Sequence, residues 1–185
     1  MERELMATGI GGQGVQLATQ VLARAAMAEG REVLLFGSYG GMMRGGNTDV
    51  TLVFADGPIE APPTVSRAWS AIVMHSEHAA GVLGRVAQDG LVIVNSTVYT
   101  EPVAIDAAVI EVPATDIALE AGNGLAASIV IAGVFAAVTG IAGLDALEDA
   151  VRASLPSYRS QHAELNARAL QAGFAAAPAM SVPAR

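Results

Sequence analysis

No cysteine occurs anywhere in the 185 residues. The chain therefore offers no disulfide, no Cys nucleophile and no thiolates of its own to ligate an iron–sulfur cluster. Aromatic residues are scarce, at 4%. The core must be assembled from Ala, Val, Leu, Ile and Met, whose small side chains allow close approach of backbones but bury little area each. Charge is sparse as well, with 15% of residues charged against 52% hydrophobic. That balance is apolar for a globular domain and predicts apolar surface left for a partner subunit. Basic runs are missing and the net charge is −8. Phosphodiester backbones and anionic headgroups would be repelled, so neither nucleic acid nor a membrane surface is an expected partner. The opening Met1-Glu2-Arg3-Glu4 is not the basic segment and apolar run of a signal peptide, and a cytoplasmic location is expected by default.

One long apolar stretch is present. Residues 125–142 approach the length that crosses a bilayer, but Gly133 and Gly140 interrupt it, Gly143 follows it, and Ala dominates it. No aromatic or basic anchors flank it, so a buried helix is the expected structure.

Strand-like runs occupy residues 4–8, 32–36, 49–55, 71–74, 91–94 and 108–112. In the third of these, Val50, Leu52 and Phe54 share one face while Thr51 and Val53 share the other. Helical spacing runs over residues 13–29, with Val15, Ala18, Leu22 and Ala25 on one face and Gly30 as the stop. Further helical patterns lie at 77–86, 115–121, 125–142, 144–155 and 157–172. Asp56-Gly57-Pro58 and Asp89-Gly90 read as turns, Pro62-Pro63 as an extended connector, and Asn123-Gly124 as punctuation before the apolar helix. Strands alternating with helices imply an α/β fold with a mostly parallel sheet. The link from the second strand to the third has no helix, which predicts one antiparallel edge pair. The expected organisation is a single Rossmann-like, three-layer domain over residues 1–174, followed by a mobile Ala/Pro-rich tail at 175–185.

Two glycine-rich loops organise this pattern. The first, Gly9-Ile10-Gly11-Gly12-Gln13-Gly14, stands between a strand and a helix; the second, Ser38-Tyr39-Gly40-Gly41-Met42-Met43-Arg44-Gly45-Gly46-Asn47, stands between two strands. Both are expected beyond the C-terminal ends of neighbouring parallel strands, where open α/β sheets meet their ligands. The first loop nearly satisfies a dinucleotide fingerprint, with glycines at a tight turn and helix N–H groups facing an anion. The confirming carboxylate should close the second strand, yet that strand ends Leu35-Phe36-Gly37-Ser38, and Glu32 lies at its other end. A nucleotide contact and a purely structural tight turn both remain open readings. In the second loop, Gly40, Gly41, Gly45 and Gly46 can expose backbone N–H groups, and Arg44 can grip a carboxylate or phosphate in bidentate fashion. The alternative for Arg44 is a salt bridge to another subunit.

Other candidates carry less. His75 and His78 flank Glu77 without the spacing of a helical ligand pair, so no metal site is expected, and His75 has a possible acid–base role only through its place at the sheet edge. His162 lies among Arg159, Gln161 and Glu164 and reads as solvated. Asn95-Ser96-Thr97 ends a strand and can either contact a ligand or cap the next segment. Trp69 reads as a packing residue.

The two loops in this order, with Val94-Asn95-Ser96 at a strand end and the closing pattern of Asn166, Ala169 and Gly173, resemble the gamma subunit or domain of the 2-oxoacid:ferredoxin (acceptor) oxidoreductases. The resemblance covers roughly residues 3–174. It implies a multi-subunit enzyme that oxidatively decarboxylates a 2-oxoacid to acyl-CoA and CO2. It implies thiamine diphosphate and Mg held by alpha and beta partners, iron–sulfur clusters held by a delta-type partner, and electrons leaving to ferredoxin or another acceptor. The gamma part would hold no cofactor alone and supply no catalytic residue, but would shape coenzyme A access. The positions implied for that contact are Gly11, Gly12, Gly14, Ser38, Tyr39, Arg44, Gly45, Gly46 and Asn95. One departure stands out: the family often carries Pro-Glu before Met-Arg-Gly-Gly, where this chain has Gly41 and Met42. A role for that carboxylate in subunit pairing, or in orienting the arginine, does not carry over. The alternatives are a stand-alone dinucleotide-binding oxidoreductase and a purely structural assembly subunit.

Overall fold

The computed structural model describes residues 2–39, 45–60, 65–155 and 162–179. Six strands form one mixed sheet: β1 (Glu2–Ile10), β2 (Glu32–Tyr39), β3 (Asn47–Ala55), β4 (Ala68–Val73), β5 (Val86–Asn95) and β6 (Ala108–Val112). Their spatial order is β2-β3-β1-β4-β5-β6. β1, β4, β5 and β6 pair in parallel, whereas β3 runs antiparallel to both β2 and β1. The expected antiparallel edge pair is present as β2 and β3. The two glycine loops, however, do not follow neighbouring strands. β1 and β2 are parallel to each other, but β3 lies between them, because the short β2–β3 link lets the chain return directly along the edge of β1.

Among the described residues six α-helices accompany the strands: α1 (Val15–Ala28), α2 (Ala79–Leu83), α3 (Ala114–Glu120), α4 (Ala127–Thr139), α5 (Leu144–Ser154) and α6 (Ala163–Ala175). They are unequally shared between the two faces of the sheet. The larger core joins Leu5, Ala7, Val50, Leu52, Phe54, Leu91 and Ile93 of the strands to α1, α3, α4, α5 and α6. The smaller core joins Met6, Val53, Val73, Val92 and Val94 to α2 and to loop residues such as Val65, Ile59 and Tyr99. The third layer is therefore thin. The alternation read in β3 holds, with Val50, Leu52 and Phe54 in one core and Val53 in the other. The predicted face of α1 is buried at Val15, Ala18, Leu22 and Ala25.

The apolar stretch forms a buried helix, as expected: every residue of α4 from Ala127 to Ala136 is inside. Among the described residues no helix is long and apolar enough to cross a membrane. α4 lies directly on α6. A side chain at Gly173 would overlap the carbonyl of Val130, and one at Gly133 would overlap the carbonyl of Leu170. Phe135 of α4 meets Phe54 of β3 edge-to-face, with ring centroids 6.4 Å apart.

Three local expectations change. The helical pattern at 77–86 is a 3-10 turn (Ser76–His78) followed by α2, which ends at Leu83, and β5 has already begun at Val86. Asp89-Gly90 is a bulge inside β5 and not a turn before it. The register jumps from Ala68–Val86 to Ser70–Leu91, and a Cβ at Gly90 would lie 2.5 Å from the Trp69 carbonyl oxygen. Trp69 packs, as read, but within β4, where Arg3 sits 4.1 Å over its ring. Burial, followed by the nearby Arg31 charge, lowers the Arg3 pKa, and Asp56 opposes that shift. α6 extends to Ala175, so the helix continues past residue 172; residues 180–185 of the tail lie outside the described residues.

Candidate functional site

The first glycine loop leaves β1 at Ile10 and enters α1 at Gly14. Gly12 and Gly14 take left-handed backbone, at φ 107° and 77°, which is why glycine is needed there. Gly14 also packs without clearance: a Cβ on it would fall 2.6 Å from Ser128 Oγ at the start of α4. Gln13 fixes the turn from within. Its Oε1 accepts the Ile10 N–H at 2.9 Å and its Nε2 donates to the Met74 carbonyl at 3.3 Å, tying the loop to the end of β4. α1 begins with no side-chain cap and no acidic residue in its first turn. Its N-terminal N–H groups and dipole thus favour an anion.

The second loop leads from β2 into β3, whose first residue pairs with the end of β1, and its root there is joined to the first loop by main chain. Gly11 N–H donates to Gly46 O at 2.8 Å, and Gly45 N–H donates to Gly11 O at 3.3 Å. Gly45 is left-handed at φ 76°, with open space where a Cβ would stand. Below this junction, Thr8 Oγ1 donates to Asp49 Oδ1 at 2.7 Å, and Asn47 Nδ2 donates to Asp49 Oδ2 at 2.8 Å. Ser38 and Tyr39 close β2, paired through their backbones with Asp49 and Thr48. Arg44, with Gly40 to Met43, lies outside the described residues.

The structure thus brings Gly11, Gly45 and Gly46 into direct contact and sets Gly12 and Gly14 at the mouth of α1. Asn95 stands apart at the end of β5. It is 1% exposed, and its Nδ2 donates to Thr115 Oγ1 at 3.0 Å, toward the start of α3. His75 caps the 3-10 turn, its Nδ1 accepting the Glu77 N–H at 3.2 Å. Among the described residues no three His, Cys, Asp or Glu converge as a metal group.

A cleft of about 400 Å³ opens beside the first loop, lined by Gly12, Gly14, Leu17, Asn123, Leu125, Leu155, His162 and Asn166. Asn166 is buried and its Oδ1 accepts from Asn123 Nδ2 at 2.8 Å. Sequence reading did not single out Thr8, Gln13, Asp49 or Asn123. Each acts through a partner distant in the chain, and only the Asn123-Gly124 punctuation hinted at one of them.

The chain that folds into this frame belongs to the pyruvate ferredoxin/flavodoxin oxidoreductase family, whose profile matches residues 4–176. Within it, the chain is similar to gamma-type subunits. It is 30% identical over 161 residues to the 2-oxoglutarate synthase subunit KorC of Methanocaldococcus jannaschii, covering 84% of this chain and 85% of that one. It is 32% identical over 167 residues to the ketoisovalerate oxidoreductase subunit VorA of Methanothermobacter marburgensis, covering 89% of this chain but only 34% of VorA. The chain thus spans about a third of that longer relative. Among solved structures, the gamma subunit of a keto/oxoacid ferredoxin oxidoreductase from Geobacter sulfurreducens superposes with a TM-score of 0.80 at 26% identity, over 95% of each chain. The pyruvate oxidoreductase subunit PORC of Thermotoga maritima does so at 0.77 and 26%, over 94% of this chain and 96% of that one.

Proposed function

We propose that the chain is the gamma-type subunit of a thiamine-diphosphate-dependent 2-oxoacid:ferredoxin (acceptor) oxidoreductase, and that its joined glycine loops shape the approach of coenzyme A. The overall reaction converts a 2-oxoacid and coenzyme A to acyl-CoA and CO2 and passes two electrons to the acceptor. The observation that carries this reading is the main-chain junction of Gly11 with Gly45 and Gly46. It ties Gly45-Gly46, which follow Arg44 in the sequence, to the loop that leads into the uncapped start of α1, where an anion is favoured. A phosphorylated co-substrate is the ligand such a helix start suits. Thiamine diphosphate supplies the decarboxylation chemistry when bound, and its place is in the partner chains. With no cysteine, the chain leaves the iron–sulfur clusters to a delta-type partner.

The dinucleotide-binding alternative fares worse on geometry. In the dinucleotide frame the ribose carboxylate closes the strand next to β1. Here β3 separates β2 from β1, placing that strand end about 10 Å away instead of about 5 Å, and Glu32 sits at the far end of β2.

Purification of the tagged chain from its native cell tests the assignment. A thiamine-diphosphate-binding chain and a cysteine-rich chain are expected to co-purify with it, with coenzyme-A-dependent acceptor reduction in the complex and none in the isolated chain. Turnover by the isolated chain would contradict the reading.

A further inference from the structure

We propose that Asp49 is a positioning residue: a carboxylate latch that holds the described roots of the two glycine loops, Gly11 and Gly45-Gly46, in one arrangement and through them sets the affinity for coenzyme A. The inference rests on the coenzyme A reading for its functional consequence, though not for the latch itself. Thr8 and Asp49 face one another across the β1–β3 pair: Thr8 is the last residue of β1 but two, just before the first loop, and Asp49 is the third residue of β3, just after the second. Thr8 is fully buried, and its hydroxyl donates to one carboxylate oxygen at 2.7 Å while Asn47 donates to the other at 2.8 Å. Both oxygens are engaged, and both bonds are charge-assisted, the stronger kind. Asn47 opens β3 directly after Gly45-Gly46, so the second bond holds the root of the Arg44 loop, while the first holds the strand that runs into Gly9–Gly14. The pair of main-chain bonds between Gly11 and Gly45-Gly46 lies just above this latch. Two glycine-rich loops are otherwise free to separate at low cost, because glycine backbones carry the most conformational freedom. A carboxylate between a buried threonine and a loop-root asparagine removes that freedom at the junction of Gly11 with Gly45 and Gly46.

Two measurements separate the latch from its consequence. In the full chain, hydrogen exchange at the Gly11 and Gly45 amides is expected to quicken about tenfold in Asp49→Ala and Thr8→Val, which corresponds to about 1.4 kcal/mol of easier opening. Amides in α4 should keep the wild-type rate. Asp49→Asn should restore slow exchange, since an amide at 49 can still accept from Thr8 and pair with a flipped Asn47. Unchanged exchange at Gly11 and Gly45 overturns the latch, as does quickening spread evenly over the sheet. In the assembled complex, Asp49→Ala should raise the coenzyme A KM several-fold at unchanged kcat and 2-oxoacid KM, with Asp49→Asn close to wild type. If exchange quickens locally but the coenzyme A KM stays put, Asp49 holds the loops but does not position the ligand. That result overturns the positioning role; if Arg44→Ala is equally silent, the coenzyme A reading falls with it.

Discussion

Gly12 and Gly14 share left-handed backbone, at φ 107° and 77°, yet a methyl at Gly12 meets open space while one at Gly14 meets Ser128. The two positions should therefore respond differently to alanine. Gly12→Ala is expected to cost about 1 kcal/mol from backbone strain alone. Gly14→Ala must also turn the Ser128 hydroxyl aside and is expected to cost about 2 kcal/mol. Urea unfolding of the isolated chain reads the difference, and equal losses would show that the Ser128 contact relaxes freely. These glycines were legible in the sequence because their spacing follows from the local turn. Gln13 was not. In the pattern it is one more residue between glycines, and its task appears only when Met74, 61 positions away, arrives at its amide.

The helices and strands themselves were readable wherever burial is local. α1 and α4 follow their apolar faces, and β3 follows its alternation. What could not be read was pairing. No short-range pattern says that β3 inserts between β2 and β1, and Asp89-Gly90 has the composition of a turn although its neighbour Trp69 makes it a bulge. The closing Gly173 shows the opposite case, where a sequence pattern acquires its cause from the structure. Gly173 lets α6 approach the Val130 carbonyl, and Gly133 lets α4 approach the Leu170 carbonyl. Gly173→Ala is expected to destabilise the chain by at least about 3 kcal/mol, at the upper end of overpacking effects, with a thermal midpoint lowered by roughly 10 °C for a chain of this size. A helix-exposed control, Gln171→Ala, loses only its bond to Glu148 and should shift the midpoint by a degree or two at most. A wild-type midpoint for Gly173→Ala would mean that the helices separate without penalty.

At the scale of the whole molecule, the helices crowd one face of the sheet, and the other face has a thin cover built on α2. Large apolar side chains remain outside among the described residues: Met27, Leu35, Phe36, Leu119 and Leu125. They are spread over α1, β2, α3 and the turn before α4, and exposed apolar side chains spread in this way do not by themselves mark a partner surface. A cysteine-free chain of net charge −8 offers no thiolate ligands for a cluster. Arg44 is the proposed coenzyme A contact, and Gly45-Gly46, which follow it in the sequence, meet Gly11 through main-chain bonds. The most direct test is the coenzyme A dependence of the assembled complex carrying Arg44→Ala. A rise of about tenfold in the apparent KM for coenzyme A, about 1.4 kcal/mol of lost binding, with subunit composition and 2-oxoacid KM unchanged, is the predicted result. An unchanged coenzyme A KM, with the complex intact or loosened, would contradict the account.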